Sequence, residues 1–481
     1  MTLERLTSQP ENPFAKLVGS QEIAVIPEFT LESGDVLHQV PVAYKTWGKL
    51  NDQANNVMVI CHALTGSADV ADWWGPLMGV GRAFDPERFY IICINALGSP
   101  YGSASPCTTN PDTGDYYGPE FPLTTIKDDA KIQKLLLDDL GVKEVAVVIG
   151  GSMGGMLVLE YAYFGPKYVR CIVPIATCAS HSAWAISWGE AQRQSIYSDP
   201  KYLDGYYAFS DPPAVGLGAA RMSALLTYRS RNSFESKFGR AKPDPLKHKQ
   251  TKSLGLERAP STPSEERWAI HNHGHRQGKK LSHSTTASPN GASNESPEIS
   301  PSSSVDSLTS LNSVSSAPKP LRRPQTYFTA QSYLRYQGAK FVERFDPNCY
   351  IAISRKLDTH DVSRGRGDEI EASLRDIEQP TLVIGISSDG LFTFTEQERL
   401  AEHIPNSRLV KIDSPEGHDA FLLEFAEINQ LIINFLKEQI PDIMNSGGRE
   451  FKEQEIGQLT QSSVFGEAET VTEDMADITR W

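Results

Sequence analysis

Val145-Ala146-Val147-Val148-Ile149-Gly150-Gly151-Ser152-Met153-Gly154-Gly155-Met156 is the stretch on which the reading of this chain turns. The run from Val145 to Ile149 has the length and β-branched content of a fully buried strand, and Leu157 to Ala162 resumes as a helix. Between them Gly150, Ser152 and Gly154 fill a Gly-x-Ser-x-Gly pattern. Such a strained strand-to-helix turn lifts a serine hydroxyl to the top of a sheet, while the glycines keep the neighbouring backbone clear. A glycine-rich turn with an idle surface serine has the same letters, but it does not need the strand before and the helix after. Ser152 is therefore the candidate nucleophile.

Working outward from the elbow, strand and helix alternate. Asn56 to Cys61 and Phe89 to Asn95 read as buried strands, Asp128 to Leu140 as a helix feeding the elbow strand, and Val169 to Ala176 as the strand after it. Ile23 to Pro27 and Gln39 to Trp47 read as edge strands around a turn at Gly34-Asp35. Pro380 to Ile386 and Ser407 to Asp413 bring strands back late in the chain, with a helix from Thr395 to His403 between them and a last long helix over Ala420 to Glu438. This alternation predicts an α/β fold with a mostly parallel sheet covered on both faces.

Between the two groups of strands the pattern changes. Ala183 to Ser195, Pro213 to Tyr228 and Tyr350 to Leu357 carry helical spacing, which predicts a helical cap (lid) inserted over 177–375. Inside it, Ser236 to Thr326 is dominated by Ser, Pro, Asn, Lys and His with little apolar periodicity, and the expectation there is disorder. The core is then expected in two parts, 1–176 and 376–441, followed by a loosely held acidic tail over 442–481.

At 481 residues the chain can bury a large core, and its net charge of -14 argues against a general nucleic-acid-binding role. Six scattered cysteines, several in apolar runs, read as reduced core thiols. Met1 to Ser20 has no apolar stretch of signal-peptide length, and no run approaches the roughly 20 apolar residues of a membrane span. The expectation is a cytoplasmic protein that touches neither nucleic acid nor membrane.

A serine hydroxyl needs a base to take its proton and an acid to orient that base. Both must sit at strand C-termini, whose loops converge on one crevice. Asp389 follows the strand ending at Ile386, and His418 follows the strand ending at Asp413. The order Ser152, Asp389, His418 is that of triads built on such an elbow. His38, His248, His283, His360 and His403 are not at strand ends, and His181 lies in the helical excursion. An oxyanion hole is expected from the backbone N–H groups of Met153, after the nucleophile, and Leu64, in the loop His62 to Gly66, with His62 shaping that loop. His271-Asn272-His273-Gly274-His275 looks like a metal cluster but has no cysteine or carboxylate frame, so no metal is expected.

With these residues in view, the chain resembles the homoserine O-acetyltransferase family, acyltransferases of the α/β-hydrolase fold. The matching motifs are Cys61-His62-Ala63-Leu64-Thr65-Gly66, Asn95-Ala96-Leu97-Gly98 with Tyr101-Gly102-Ser103, Gly118-Pro119-Glu120-Phe121-Pro122, the elbow itself, Tyr333-Leu334-Arg335-Tyr336-Gln337-Gly338, and Gly417-His418-Asp419-Ala420-Phe421-Leu422. The resemblance implies acetyl-CoA as donor, an acetyl-serine intermediate on Ser152, transfer to the hydroxyl of L-homoserine in methionine biosynthesis, and a homodimer. It also implies Arg221, Tyr228 and Asp419 as acceptor-binding residues; Arg221 and Tyr228, seven apart, share one helix face. The long insert and acidic tail are departures that resemble fungal members. Relatives in the family acylate serine or a deacetylated cephalosporin, and two further classes share the same motif: a plain serine esterase and a catalytically silent scaffold.

Overall fold

In the computed structural model the described residues are 2–241, 262–275, 327–367 and 369–446. Nine strands form one sheet in the order β1-β2-β3-β5-β4-β6-β7-β8-β9. They are β1 (Glu4–Leu6), β2 (Glu22–Thr30), β3 (Val36–Trp47), β4 (Val57–Cys61), β5 (Tyr90–Ile94), β6 (Val145–Gly151), β7 (Val169–Ile175), β8 (Thr381–Ile386) and β9 (Ser407–Ile412). From β5 to β9 neighbouring strands run parallel, whereas β1 to β3 are antiparallel and β3 joins β5 antiparallel.

The central strands are uninterrupted apolar runs because both faces are covered. Alternation splits each strand between two cores: Val57 and Val59 of β4 and Ile92 of β5 join one, while Met58, Ile60 and Ile91 join the other. The elbow helix Met153–Ala162 and the helix Ile126–Asp139 lie on the first side, and the long helix Phe425–Gln439 on the second. Thr125 caps Ile126–Asp139 in a reciprocal box with Asp128, which starts that helix two residues earlier than its apolar spacing predicts.

Three expectations need correction. The predicted edge pair β2 and β3 is not outermost, because the short strand Glu4–Leu6, carrying no alternating signal, pairs outside β2. The final helix begins at Phe425, with Gly417–Leu422 forming a 3₁₀ turn instead of helix. The predicted loose tail starts later than residue 442: Asp442 pairs with Arg170 at 2.7 Å and Ile443 is buried, while 447–481 lie outside the described residues.

Between β7 and β8 stand the predicted helices Ala183–Tyr197, Ala214–Tyr228 and Pro347–Asp358, together with Arg231–Lys237, Pro263–His271 and Thr329–Val342. Phe341, Phe345, Tyr350 and Ile353 of this cap belong to the same apolar cluster as β4 and β5, so the cap is continuous with one core layer. Of the stretch predicted to be disordered, 242–261 and 276–326 fall outside the described residues, but Pro263–His271 is helical. Thr262 caps it, Pro263 opens it, Glu265 and Glu266 fill its first turn, and Ala269 is buried. Among the described residues no helix is long and apolar enough to cross a membrane.

Candidate active site

The strand order reverses around β4, and the loops after β4 and β6 meet at that switch point. Ser152 sits there with φ 59° and ψ -125°, a conformation that non-glycine residues rarely adopt. Its backbone is fixed on both sides: its N–H donates to Ile175 O at 3.0 Å, and Thr177 Oγ1 donates to its carbonyl at 2.8 Å. The glycine at 154 is required by space, since a Cβ there would stand 2.1 Å from the Cys61 carbonyl oxygen.

Asp389 and His418 meet as their order in the chain predicts. Asp389 Oδ2 lies 2.6 Å from His418 Nδ1, and both side chains are buried. Asp389 Oδ1 accepts from Leu391 N at 2.8 Å and Phe392 N at 3.0 Å, so the carboxylate is held from both oxygens. An acceptor at Nδ1 places the imidazole proton there and leaves Nε2 as the basic nitrogen. The rings of Phe392, Phe421 and Tyr228 surround His418 at centroid distances of 5.2, 5.3 and 6.3 Å. Gly417 has φ +73°, and a Cβ there would meet Ser230 N at 2.4 Å, so the histidine loop packs directly on the cap backbone.

Ser152, His418, Leu64, Tyr228 and Asp419 line one cavity between sheet and cap. At the oxyanion side, Met153 opens a helix, and the first N–H groups of a helix have no intrahelical acceptor. The turn after β4 is closed by Gly66 N–H to Ala63 O at 3.0 Å, which makes no use of the Leu64 N–H. His62 holds that loop as expected: its Nε2 accepts from Ala96 N at 3.0 Å and its Nδ1 donates to Ala63 O at 2.8 Å. Burial pushes its imidazole down to about 4, so the ring is neutral and can keep both bonds.

The three residues expected on the acceptor side, Arg221, Tyr228 and Asp419, are placed unequally. Tyr228 and Asp419 reach the cavity, but Arg221 is not among its lining residues. It is buried, with its guanidinium 4.7 Å from the Phe341 ring centroid and 5.5 Å from that of Tyr228. Asp419 Oδ2 forms an ion pair with Arg229 Nε at 2.9 Å, and Arg229 also pairs with Glu416.

Several residues here were not legible in the sequence. Arg344, buried in the cap, donates from Nη1 to the Thr65 carbonyl at 3.1 Å and to Tyr101 Oη at 3.0 Å, tying the cap to the oxyanion loop. Glu396 stands near the triad; burial, reinforced by the Asp389 charge against a Thr393 N–H, pushes its carboxyl up to about 7. His181, set aside because it lies in the helical excursion, lines the cavity, and burial pushes its imidazole down to about 3. No local pattern in the sequence marks any of these three. Among the described residues of the histidine-rich run, His273 Nδ1 faces Arg335 Nη1 at 3.0 Å and its ring packs on Tyr327. Among the described residues, those grouped closely enough to hold an ion are elsewhere: Cys107, Asp346 and Cys349, all buried, with Asp346 occupied in capping Pro347–Asp358. All six cysteines are buried and free.

Residues 56–425 match the family model described as the alpha/beta hydrolase fold. Over full length the chain is similar to proteins named homoserine O-acetyltransferase: 59% identical to that of Emericella nidulans, with 100% of this chain and 98% of that one covered. The corresponding values are 58%, 98% and 96% for Ascobolus immersus, and 58%, 96% and 95% for Saccharomyces cerevisiae. Among solved structures, the homoserine O-acetyltransferase of Bacillus anthracis matches with a TM-score of 0.63 at 20% identity, covering 90% of this chain and 99% of that one. Esterase E22 matches with a TM-score of 0.64 at 22% identity, covering 87% and 99%. At such identities these two structures speak for the fold alone.

Proposed function

The chain belongs to the homoserine O-acetyltransferase family of the α/β-hydrolase fold, and from that premise we propose that it moves an acetyl group from acetyl-CoA to the hydroxyl of L-homoserine through an acetyl-Ser152 intermediate. The observation that carries the chemistry is the 2.6 Å contact of His418 with Asp389 above a serine held at φ 59° in the same cavity. His418 Nε2 takes the Ser152 proton as Oγ attacks the thioester carbonyl, and the oxyanion is met by the N–H groups of Leu64 and Met153. Collapse of that intermediate breaks the carbon–sulfur bond, and His418 returns the proton to the departing thiolate. In the second half-reaction His418 deprotonates the homoserine hydroxyl, which attacks the acetyl-serine carbonyl and regenerates Ser152. Asp389 keeps the imidazole in one tautomer and stabilises its charged form.

On the acceptor, Tyr228 and Asp419 line the cavity with His418, while Arg221, stacked behind Tyr228 and outside that lining, is assigned to the carboxylate of the amino acid on the family resemblance alone. The cap over 177–375 shields the acetyl-enzyme from water, which favours transfer over hydrolysis. A cytoplasmic homodimer acting on small molecules completes the proposal. Its test is release of free thiol from acetyl-CoA with and without homoserine. Release that depends on homoserine supports transfer; equal release in both arms makes the protein an esterase, and no release in either leaves only a scaffold. A parallel panel of serine and deacetylated cephalosporin fixes the acceptor.

A further inference from the structure

The loop after β5 is gripped at a single peptide group by a buried ion pair. Lys356, on the cap helix Pro347–Asp358, donates from Nζ to the Leu97 carbonyl at 2.7 Å, and Asp129, on the helix Ile126–Asp139, accepts from the Leu97 N–H through Oδ1 at 2.8 Å. The two charges meet at 2.5 Å between Nζ and Oδ2, and neither side chain is more than 1% exposed. The cap helix lies directly on this loop, since a Cβ at Gly98 would stand 3.5 Å from the Ile353 side chain. Such a buried pair adds little net stability over apolar residues of the same volume, because desolvating two charges offsets their attraction. What apolar residues cannot do is hold both the N–H and the C=O of one peptide.

Hydrogen bonds pass this hold on to the active cavity. The neighbouring Ala96 N–H donates to His62 Nε2 at 3.0 Å, which leaves the one proton of the ring on Nδ1, where it is donated to the Ala63 carbonyl at 2.8 Å. The Gly66 N–H donates to the same carbonyl at 3.0 Å. The Ala63–Leu64 peptide is trans and planar, so fixing its oxygen also fixes its N–H, that of Leu64, on the opposite side. Ala63 and Leu64 both line the cavity with Ser152. The relay needs a neutral ring, because an imidazolium has no acceptor for Ala96; burial, and with it the Lys356 charge, keeps His62 in that form.

We propose that Lys356 and Asp129 are positioning residues for the oxyanion donor: by clamping the Leu97 peptide they set the Ala96 N–H, through it the His62 ring, and through that ring the peptide that carries the Leu64 N–H. The inference rests on the assignment of the Leu64 N–H to the oxyanion. It gives a lysine of the cap a part in the first chemical step, although its side chain never reaches the cavity.

The test uses the full chain and reads thermal melting, single-turnover acetylation of Ser152 at saturating acetyl-CoA or p-nitrophenyl acetate, and the KM for homoserine. Asp129→Leu/Lys356→Met replaces the pair by apolar groups, so it should melt near the wild type yet acetylate about tenfold to a hundredfold more slowly with either donor, at unchanged homoserine KM. Asp129→Asn should show the reverse, a lower melting temperature with acetylation within about threefold of wild type, because its side-chain carbonyl still accepts from the Leu97 N–H. His62→Leu cuts the relay at its other end and should be slowed like the pair variant, and the triple variant should be slowed little more than either, because both act on one peptide. A pair variant that folds and acetylates at the wild-type rate, or an Asp129→Asn protein slowed as much as the pair variant, would reduce the pair to a fastening of the cap and overturn the proposal. Wild-type acetylation in His62→Leu would overturn it even if the pair variant does not fold, and so would additive losses in the triple variant. Wild-type protein acetylated by p-nitrophenyl acetate but not by acetyl-CoA would fell the transferase reading and leave this test intact on the remaining donor.

Discussion

The elbow and the cap above it are held by opposite means. Around Ser152 the backbone segments approach so closely that side chains have no room: a Cβ at 154 would stand 2.1 Å from a carbonyl oxygen, and one at 151 would stand 2.5 Å from the Phe421 ring. The cap is fastened through buried charge instead. Lys356 Nζ, fully buried, reaches Asp129 Oδ2 at 2.5 Å and the Leu97 carbonyl at 2.7 Å, while Arg344 holds Thr65 O and Arg229 holds Asp419. The elbow is therefore intolerant of one added methyl group, and the cap of one lost ion, because an uncompensated buried charge costs more than its pair contributed.

The sharpest contrast lies within the elbow. Ser152→Ala should lower turnover about 10³-fold or more with stability within about 1 kcal/mol of wild type. Gly154→Ala, a change of the same size two residues away, should cost on the order of 3 kcal/mol or more and yield little folded protein. Mass spectrometry of the acetyl-enzyme and thermal melts check the pair. A Ser152→Ala protein that still takes up acetyl from acetyl-CoA would exclude Ser152 as the nucleophile.

Next in size is the acid sensitivity of the elbow's support. His62 ionises near 6.5 when unfolded but at about 4 in the fold, so the unfolded chain binds the extra proton between those values and stability is lost as pH falls through that window. The loss from this one ring is on the order of 3 kcal/mol by pH 4. Melts at pH 7 and pH 4.5 should show a smaller fall in His62→Gln than in wild type; the same fall in both would place the acid sensitivity elsewhere.

On the cap side, Arg221→Ala should raise the KM for homoserine about tenfold to a hundredfold while the acetyl-CoA half-reaction stays normal, and lysine should rescue poorly because it lacks the guanidinium fork. Since Arg221 is stacked on Phe341 and Tyr228, loss of thermal stability with homoserine KM unchanged would instead assign it to cap packing. Arg344→Lys should slow acetylation of Ser152 about tenfold with homoserine KM unaffected, because the Leu64 N–H is placed by the loop that Arg344 holds. A change in homoserine KM alone would separate Arg344 from the oxyanion loop.

The smallest effect concerns the insert. Removing 277–319 should leave activity and melting temperature unchanged, as a segment without apolar periodicity adds little core. Extending the deletion through Pro263–His271 should cost about 1 kcal/mol, since Ala269 is buried and His273 contacts Arg335. Equal stability of both deletions would show that this helix contributes nothing to the cap.

What could be read in the chain was local. The elbow is a contiguous string, and its strand, turn and helix obey periodicity and steric rules that span a dozen residues. The runs at β4 to β8 are legible because burial on both faces leaves them almost wholly apolar, Asp389 because it follows one of them, and His418 because it follows the partly exposed β9. Glu4–Leu6 escaped because an outermost strand of three residues is defined by its partner and carries no pattern of its own.

The sequence by itself determined the fold class, the candidate nucleophile Ser152, the order in which Ser152, Asp389 and His418 follow one another, and the helices between the two groups of strands, all of which rest on short-range pattern. Only the tertiary structure decided how the cap grips the core. Lys356 finds Asp129 across 227 residues and Arg344 finds Thr65 across 279. A buried charge is stable only beside its complement, and which complement it meets depends on how distant helices pack; no pattern within a segment records that choice.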